Sequence, residues 1–487
     1  SPSQRVGTKS APELATRMAM LGRSALLDLF RLHTIVRPTV IDKIIDRLIG
    51  RGPAACNWVG ALDELVVAQP LAVLEHTQRI KQLLEYVLAL PPATATSMLS
   101  SLLPLQKQRP ELRDHLVLLL RKAMFSREEG TRLTAVHGFL QLLHTTGGKP
   151  AAAADGGGGA GAGTSMMEVD TSNNEDVHFQ LELLGFIRRS LTQQAAIRAA
   201  LYEGIVPAFI AQPHLRPMVF ELLLAQLGQY TDVYDDDATA SQVSTTSPIL
   251  IDRCLQYAED GSSPPSLVEP LPQLIRAITR CVVAARGVGG GADDHAEGED
   301  GGGAGGSGND IITSVINRMR MMVDRVALCS LKHFRLHGDV VLTAKDKNGP
   351  HNYAIATFLN NTLEALLDHA LLCHVKGNKE GAANEQQAVC MATQAVGTQA
   401  ATGGFSIEDP AVEASRRIFT LGRAVSELMA VAKIKPAEKT MPAWLQFDLS
   451  LPACSRVLAA LHADAAAASA SAGGGGKSTL ASQSKKE

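Results

Sequence analysis

Apolar residues recur every three or four positions through most of the first 145 residues, which is the spacing of one face of a helix. A first helix is predicted after Ser10, because Ser10 and Glu13 have the spacing of a capping box. TVID at 39–42 predicts the cap of a second helix, and SREE at 126–129 that of a later one. Further helix starts are predicted near Pro53, Leu71, Pro92 and Pro110.

The predicted starts at 38, 71 and 110 are separated by 33 and 39 residues, which is typical of HEAT-type repeats. One amphipathic helix pair cannot bury its apolar face alone, so successive pairs are expected to stack. We therefore predict an all-α fold in which residues 1–146 form a HEAT-like α-solenoid.

Glycine- and alanine-rich segments interrupt this pattern later in the chain. Residues 147–176 contain too few apolar side chains to pack and are predicted to be a disordered loop. Residues 177–463 are predicted to form an irregular helical domain with disordered insertions at about 286–310 and 376–404, followed by a disordered tail at 464–487. Helices of this domain are expected near 269–285, 311–330, 352–375, 408–433 and 442–462.

The composition favours helices over a β-sandwich, because 45% of residues are hydrophobic but only 4% are aromatic. No apolar run approaches the ~20 residues that span a bilayer, so no membrane segment is expected. The seven cysteines are scattered without a CxxC pair, which indicates a reducing compartment. The chain lacks an initiator Met and a signal-peptide pattern, so it is expected to begin within a longer protein or to be trimmed.

Charge is distributed unevenly along the chain. Residues 1–150 contain 19 basic and 12 acidic side chains, whereas the remainder contains 27 and 37. Within the basic residues 1–150, one edge of a predicted helix carries Lys43, Arg47 and Arg51, which form a possible set of DNA phosphate contacts. The alternative, which helix geometry alone favours, is a solvated face partly paired with Asp42 and Asp46.

Motifs for catalysis or cofactor binding are weak. Asp368, His369, Cys373 and His374 lie on one apolar predicted helix, where core packing explains them better than a metal site does. GGGGKST at 473–479 resembles a phosphate loop, but Ser471 stands where the first glycine is required. We therefore expect no metal, no cofactor and no enzymatic activity.

Lys122 lies near the end of the helix predicted over 111–125. It falls one turn beyond Leu118, on the same side as His115 and Glu111, and away from the predicted core face. Physical chemistry alone favours an ordinary solvated lysine at this position. The predicted core face consists of Leu112, Leu116, Leu119, Leu120, Ala123 and Met124.

The stretch LLLRKAMF, followed one short turn later by AVHGFLQLL, resembles the central part of the Fanconi anaemia group I (FANCI) family. Similarity in the same order continues through LGRSALLDLFRLHTIVRPTVIDKIIDRLIGR before it. It continues through LLGFIRRSLTQQAAIRAALYEG, ITSVINRM and FSIEDPAVEASRRIFTLGRAVSEL after it. The resemblance covers nearly the whole chain apart from the Gly/Ala-rich insertions and the tail.

This resemblance implies a nuclear α-solenoid that acts in interstrand crosslink repair. Members of the family pair with a paralogous Fanconi group D subunit, bind double-stranded or branched DNA, and form a clamp. An E2 and the Fanconi core E3 complex attach ubiquitin to one lysine, which is the lysine of RKAMF and therefore Lys122 here. By the same resemblance, the family's first and C-terminal solenoids are not expected within these 487 residues. The alternative is a HEAT-type protein-interaction adaptor without a DNA role.

One departure concerns phosphorylation. The family has a cluster of Ser-Gln sites just after the acceptor's helix pair, but residues 147–176 contain neither Ser-Gln nor Thr-Gln. The nearest such dipeptides on the C-terminal side are Thr192-Gln193 and Ser241-Gln242. The regulatory phosphosites are therefore not predicted from this sequence.

Overall fold

The computed structural model describes residues 11–50, 55–146, 166–232, 247–257, 265–289, 306–336 and 348–374, together with 342 and scattered positions between 417 and 429. The chain divides into two compact units, Ser1–Gln193 and Gln194–Glu487. The helices described in the first unit are α1 (Ala11–Leu32), α2 (Arg37–Ile49), α3 (Ala55–Ala68), α4 (Pro70–Leu74), α5 (Thr77–Val87), α6 (Pro92–Gln106), α7 (Pro110–Met124), α8 (Glu129–Thr145) and α9 (Met166–Ser190).

Helices α2 to α8 form two layers of a solenoid. Helix α5 packs between α2 and α7 in one layer, and α6 packs between α3 and α8 in the other. Helix α2 also packs on α3, and α7 packs on α8, so each repeat is a helix pair that contributes one helix to each layer. This arrangement confirms the predicted all-α solenoid, because each pair buries its apolar face against the next.

Proline marks several helix starts as predicted, since its fixed φ suits the first turn and its missing N–H is not needed there. Pro92 and Pro110 are the first residues of α6 and α7, as predicted, and α4, whose start was predicted near Leu71, begins at Pro70. Helix α3 begins at Ala55, close to Pro53, which lies outside the described residues.

Two predicted caps are wrong in detail. Helix α2 begins at Arg37 and carries Pro38 in its first turn, so TVID at 39–42 lies inside the helix. Helix α8 begins at Glu129, and the Oγ of Ser126 accepts a hydrogen bond from the backbone N–H of Glu128 at 3.2 Å instead of completing a capping box. The proposed cap at Ser10 lies outside the described residues.

Helix α9 corrects the boundary of the predicted loop at 147–176. The helix begins at Met166, so residues 166–176 are helical, whereas residues 147–165 lie outside the described part of the chain. Extending a helix costs less free energy than starting one. The polar residues 166–176 therefore continue the apolar remainder of α9 as one helix, and α9 packs on α8. The first compact unit therefore reaches Gln193.

The second unit is built around α13, which packs against α10, α11 and α15. Two short strands, β1 (Leu255–Gln256) and β2 (Ser266–Leu267), pair in antiparallel register. The α-helices whose bounds are described in this unit are α10 (Ala195–Ala211), α11 (Arg216–Tyr230), α12 (Ile251–Cys254), α13 (Leu271–Gly289), α14 (Gly306–Ala327) and α15 (Gly349–His374).

The predicted helices near 269–285, 311–330 and 352–375 are thus confirmed, and the described positions between 417 and 429 are also helical. The predicted insertion at 286–310 is too wide, because α13 continues to Gly289 and α14 begins at Gly306. Its central part, together with the predicted features at 376–404, 442–462 and 464–487, lies outside the described residues.

A buried carboxylate connects the elements of the second unit. The side chain of Glu269 is 0% exposed and accepts hydrogen bonds from Arg198 at 2.5 Å, Tyr202 at 2.7 Å and Gln226 at 3.0 Å. Burial lowers the pKa of Arg198, but the hydrogen bond and charge of Glu269 outweigh this effect and raise it overall. Glu269 thereby ties the segment before α13 to α10 and α11.

Candidate functional site

Lys122 lies in the last turn of α7 and is exposed to solvent. Positively charged side chains suit this position because the helix dipole is negative at its C-terminal end. Leu119 is only half-buried, whereas the other predicted core residues are buried. These are Leu112, Leu116, Leu120, Ala123 and Met124.

The face of α7 that carries Lys122 is open and partly apolar. Leu118 is 61% exposed and Phe125 is 76% exposed, while Glu111 is exposed and His115 is half-buried. Lys122 forms no ion pair with any residue that the structure describes. The amine of Lys122 therefore lies on a surface that also carries two largely exposed apolar side chains.

The neighbouring cation, Arg121, has different surroundings. Its guanidinium lies 5.2 Å from the ring centroid of Phe186 on α9, and this ring stacks on Phe139 of α8 at 5.0 Å. Successive residues of a helix point about 100° apart, so Lys122 projects in a different direction from Arg121, which lies over Phe186 of α9. The structure thus distinguishes the two adjacent basic residues.

The turn that follows Lys122 is held by the start of α8. Arg132 is largely buried and donates hydrogen bonds to the carbonyl oxygens of Ser126 at 2.6 Å and Arg127 at 2.9 Å. Helices α7 and α8 also approach closely at Gly138, where an added Cβ would lie 2.6 Å from a methyl group of Leu120. These contacts fix the end of α7 and hence the backbone position of Lys122.

The predicted phosphate contacts on α2 are only partly described. Lys43 and Arg47 are exposed, whereas Arg51 lies outside the described residues. Asp42 and Asp46 both pair with Arg79 of α5, at 2.6 and 3.3 Å. The hydrogen bond with Asp42 raises the pKa of Arg79.

We refer to Lys43, Arg47 and Arg51 as the stripe. The alternative interpretation of the stripe was a solvated helix face whose basic side chains pair partly with these same carboxylates. No such pairing occurs within the described part of the chain, because Arg79 occupies both carboxylates. The two basic side chains therefore remain available for an anionic ligand. Their contact with DNA phosphates stays a prediction.

The prediction that the polar residues at 368–374 pack in the core is confirmed for His369. His369 is buried, and its Nδ1 lies 3.0 Å from the Oγ1 of Thr279 on α13. The side chains of Cys373 and His374 are not described. Within the described residues, no group of three or more His, Cys, Asp or Glu side chains is arranged to hold a metal ion.

The phosphate-loop-like segment at 473–479 lies outside the described residues. Among the helices that the structure describes, none has both the length and the apolar character needed to cross a membrane.

Sequence reasoning missed the position of α9 beside α7. Met124 and Ser190 are 66 residues apart, yet the Oγ of Ser190 lies 3.5 Å from the sulfur of Met124. Arg113 of α7 likewise stacks on Phe179 of α9, 4.5 Å from its ring centroid. The apolar spacing of α9 predicted a helix, but this local pattern carries no information about which helix it would contact.

The described helices α2 to α8 form an α-solenoid of stacked helix pairs, and Lys122 lies exposed at the end of one of these helices. The FANCI solenoid 2 family model matches residues 3–140, and the FANCI helical domain 2 model matches residues 161–391. The chain therefore belongs to the FANCI family and is a Fanconi pathway protein.

Two curated relatives agree with this assignment. The chain is 29% identical to the Fanconi anemia group I protein of Gallus gallus over 293 residues, which are 59% of this chain and 21% of that protein. It is 27% identical to the Fanconi anemia group I protein homolog of Mus musculus over 285 residues, 57% of this chain and 20% of that protein. The matched region thus spans about a fifth of the length of these relatives.

Proposed function

We propose that this chain is the part of a FANCI-like subunit that accepts ubiquitin, and that Lys122 is the acceptor. The carrying observation is that Lys122 is exposed and has no ion pair in the described unit, whereas the guanidinium of Arg121, which is also exposed, lies over the ring of Phe186. An acceptor must reach a thioester in the active site of an E2, so an amine on an open face at a helix end is well placed.

The proposed reaction is an acyl transfer. The amine of Lys122, after losing its proton, attacks the thioester carbonyl carbon at the C-terminus of ubiquitin. A nitrogen–carbon bond forms, the carbon–sulfur bond to the E2 breaks, and the E2 cysteine leaves as the thiolate. The chain supplies only the nucleophile and its position, so we propose a non-enzymatic scaffold that uses no cofactor of its own.

We further propose that a paralogous Fanconi group D subunit packs against the face that carries Lys122. Leu118 and Phe125 support a protein partner, because burying these exposed apolar side chains would stabilise a complex. Together the two subunits would clamp double-stranded or branched DNA in the nucleus during crosslink repair, and conjugation would help to lock the pair.

Reconstituted conjugation tests the acceptor. Wild-type chain and Lys122→Arg would be incubated with E2, the core E3 complex, the paralogous subunit and duplex DNA, and the products mapped by mass spectrometry. Lys122→Arg preserves the charge and most of the side-chain volume, so the fold is expected to survive while conjugation is lost. An isopeptide bond on Lys107 or Lys149 in the wild type would refute the assignment.

DNA binding through α2 is the second part of the proposal. The exposed, unpaired side chains of Lys43 and Arg47 support it, together with the basic balance of residues 1–150. Neutralising Lys43, Arg47 and Arg51 should flatten the slope of log K against log salt by up to ~0.9 per lost phosphate contact. An unchanged slope would remove the stripe from the interface.

A protein-interaction adaptor without a DNA role is the competing function. The first helix favours it, because Leu14, Met18 and Leu21 are 59%, 65% and 69% exposed on one face of α1. Duplex DNA affinity with a clear salt dependence, together with conjugation at one lysine, would separate the proposed function from this alternative.

A further inference from the structure

Helices α7 and α9 run in the same direction along the first unit. Arg113 contacts Phe179, Arg121 contacts Phe186, and further along Met124 contacts Ser190. Positions on the two helices rise together through these contacts, which is the signature of parallel helices. The C-terminal ends of α7 and α9 therefore lie at the same end of the unit, although 66 residues separate Met124 from Ser190.

This parallel arrangement gathers basic side chains from two distant segments. Five basic side chains lie at this end of the unit, and each is exposed and forms no ion pair with a described residue. They are Arg121, Lys122 and Arg127 from α7 and the turn after it, and Arg188 and Arg189 from the last turn of α9. We refer to these five residues as the basic end.

Acidic groups near the basic end do not cancel its charge. Glu128 follows Arg127 directly, and one of its oxygens lies 3.3 Å from the hydroxyl of Thr131. Glu129 lies in the first turn of α8, where a carboxylate complements the positive end of the helix dipole. Glu182 is exposed on α9, nearly two turns before Arg189. Five cations against the two carboxylates of the turn leave this end positive.

Helix dipoles alone do not explain this set. A basic side chain in the last turn of a helix is favourable, and this accounts for a cation at the end of each helix. It does not account for Arg127, which lies beyond the end of α7. Nor does it explain why none of the five is paired with a carboxylate within the described residues.

We propose that the basic end is a phosphate-binding site for the backbone of duplex DNA, separate from the stripe on α2. This inference rests on the DNA-binding part of the proposed function. The five charges come from the ends of two helices, so they cover a wider surface than a single anion does and suit a row of phosphates. Four of the five are arginines, whose planar donors suit phosphate oxygens.

The two sites are on different repeats. Helix α5 packs between α2 and α7, so a full helix separates the stripe from the basic end within one layer. A duplex held at the basic end would lie beside the proposed ubiquitin acceptor, because Lys122 is itself one of the five residues of the basic end. Removing the two arginines of α9 tests the site without altering Lys122 or its neighbour Arg121.

The experiment measures binding of a fluorescent 30-bp duplex to the 487-residue chain by anisotropy across a series of salt concentrations. The test variant is Arg188→Gln with Arg189→Gln. Its slope of log K against log salt should be shallower than that of the wild type by up to ~1.8, since each lost contact contributes ~0.9. A charge-retaining variant, Arg188→Lys with Arg189→Lys, should keep the wild-type slope.

The matched control is Arg280→Gln with Lys332→Gln, which removes two exposed basic side chains from the second unit. A test-variant slope equal to that of the control and the wild type would overturn the basic end while leaving the acceptor proposal intact. Absence of duplex binding by the wild type would refute both this site and the DNA-binding part of the proposed function.

Discussion

The guanidinium of Arg121 lies 5.2 Å from the ring centroid of Phe186, whereas the next residue along the chain, Lys122, is exposed and has no ion pair among the described residues. Phe186 in turn stacks on Phe139, so Arg121 is part of a contact that joins α7, α8 and α9. A cation over an aromatic face contributes ~0.5–1 kcal/mol at an exposed site. Both side chains are exposed, but within the described residues only Arg121 makes this packing contact.

Replacement of Gly138 and of Gly185 by alanine should change the free energy of unfolding in opposite directions, because α7 and α8 approach closely at Gly138, whereas the position of Gly185 is open. Gly138→Ala would place a Cβ 2.6 Å from a methyl group of the buried Leu120, so we expect a loss of about 1–3 kcal/mol in the free energy of unfolding. Gly185 lies within α9 with nothing within 4 Å of its added Cβ, so Gly185→Ala should stabilise by ~0.5–1 kcal/mol.

Urea denaturation of both variants checks this prediction. If Gly138→Ala were as stable as Gly185→Ala, the helices would not be held at the observed spacing and the end of α7 would not be fixed by α8.

The buried network at Glu269 predicts a large effect in the second unit. Glu269→Gln removes the charge that balances Arg198, whose side chain is only 11% exposed, so we expect a loss of ~3–5 kcal/mol. Asp252→Asn is the control, because the ion pair of Asp252 with Arg335 is 57% and 68% exposed and should contribute only ~0–1 kcal/mol.

The measurement is the urea midpoint of the second unit's transition. Similar small losses for Glu269→Gln and Asp252→Asn would show that the buried ion pair does not stabilise this unit.

His351 predicts a pH dependence in the same unit. Burial lowers its pKa, with a smaller contribution from Arg335 that Asp252 partly offsets, and its ring stacks on Tyr257 at 4.0 Å. Because the unfolded chain binds a proton more readily than the folded one, stability is fully present above the unfolded pKa of about 6.5 and falls as the pH drops through the lowered value.

Replacing the residue, as in His351→Gln, should therefore reduce the loss of stability between pH 7 and pH 5, measured by urea denaturation at each pH. A variant that loses as much stability as the wild type over this range would assign the pH dependence to other groups.

The helix pairs were predictable because their signals are local: apolar spacing, and proline at the first position of α4, α6 and α7. The start of α2 at Arg37 agrees with the predicted start at 38, but its cap was wrongly assigned to TVID, because Pro38 permits the helix to begin before that stretch. The surroundings of the candidate site were not predictable, since they depend on long-range contacts. Arg79 reaches carboxylates 37 and 33 residues away, and Arg121 meets Phe186 across a glycine- and alanine-rich segment.

The resemblance to the family singled out Lys122, but the sequence alone could not distinguish its environment from that of Arg121. Both are basic, adjacent and in the last turn of one helix. The distinction depends on α9, whose position beside α7 no local pattern indicates.

Reconstituted conjugation of three chains, followed by mass spectrometry of the isopeptide bond, tests the role of Lys122 most directly. The chains are the wild type, Lys122→Arg, and the exchanged pair Arg121→Lys with Lys122→Arg, which moves the lysine by one position and keeps the net charge. We expect ubiquitin on Lys122 of the wild type and at least a tenfold lower yield on both variants, because residue 121 points towards Phe186. Modification of either variant at the wild-type rate would contradict the proposal that the exposed position of Lys122 makes it the acceptor.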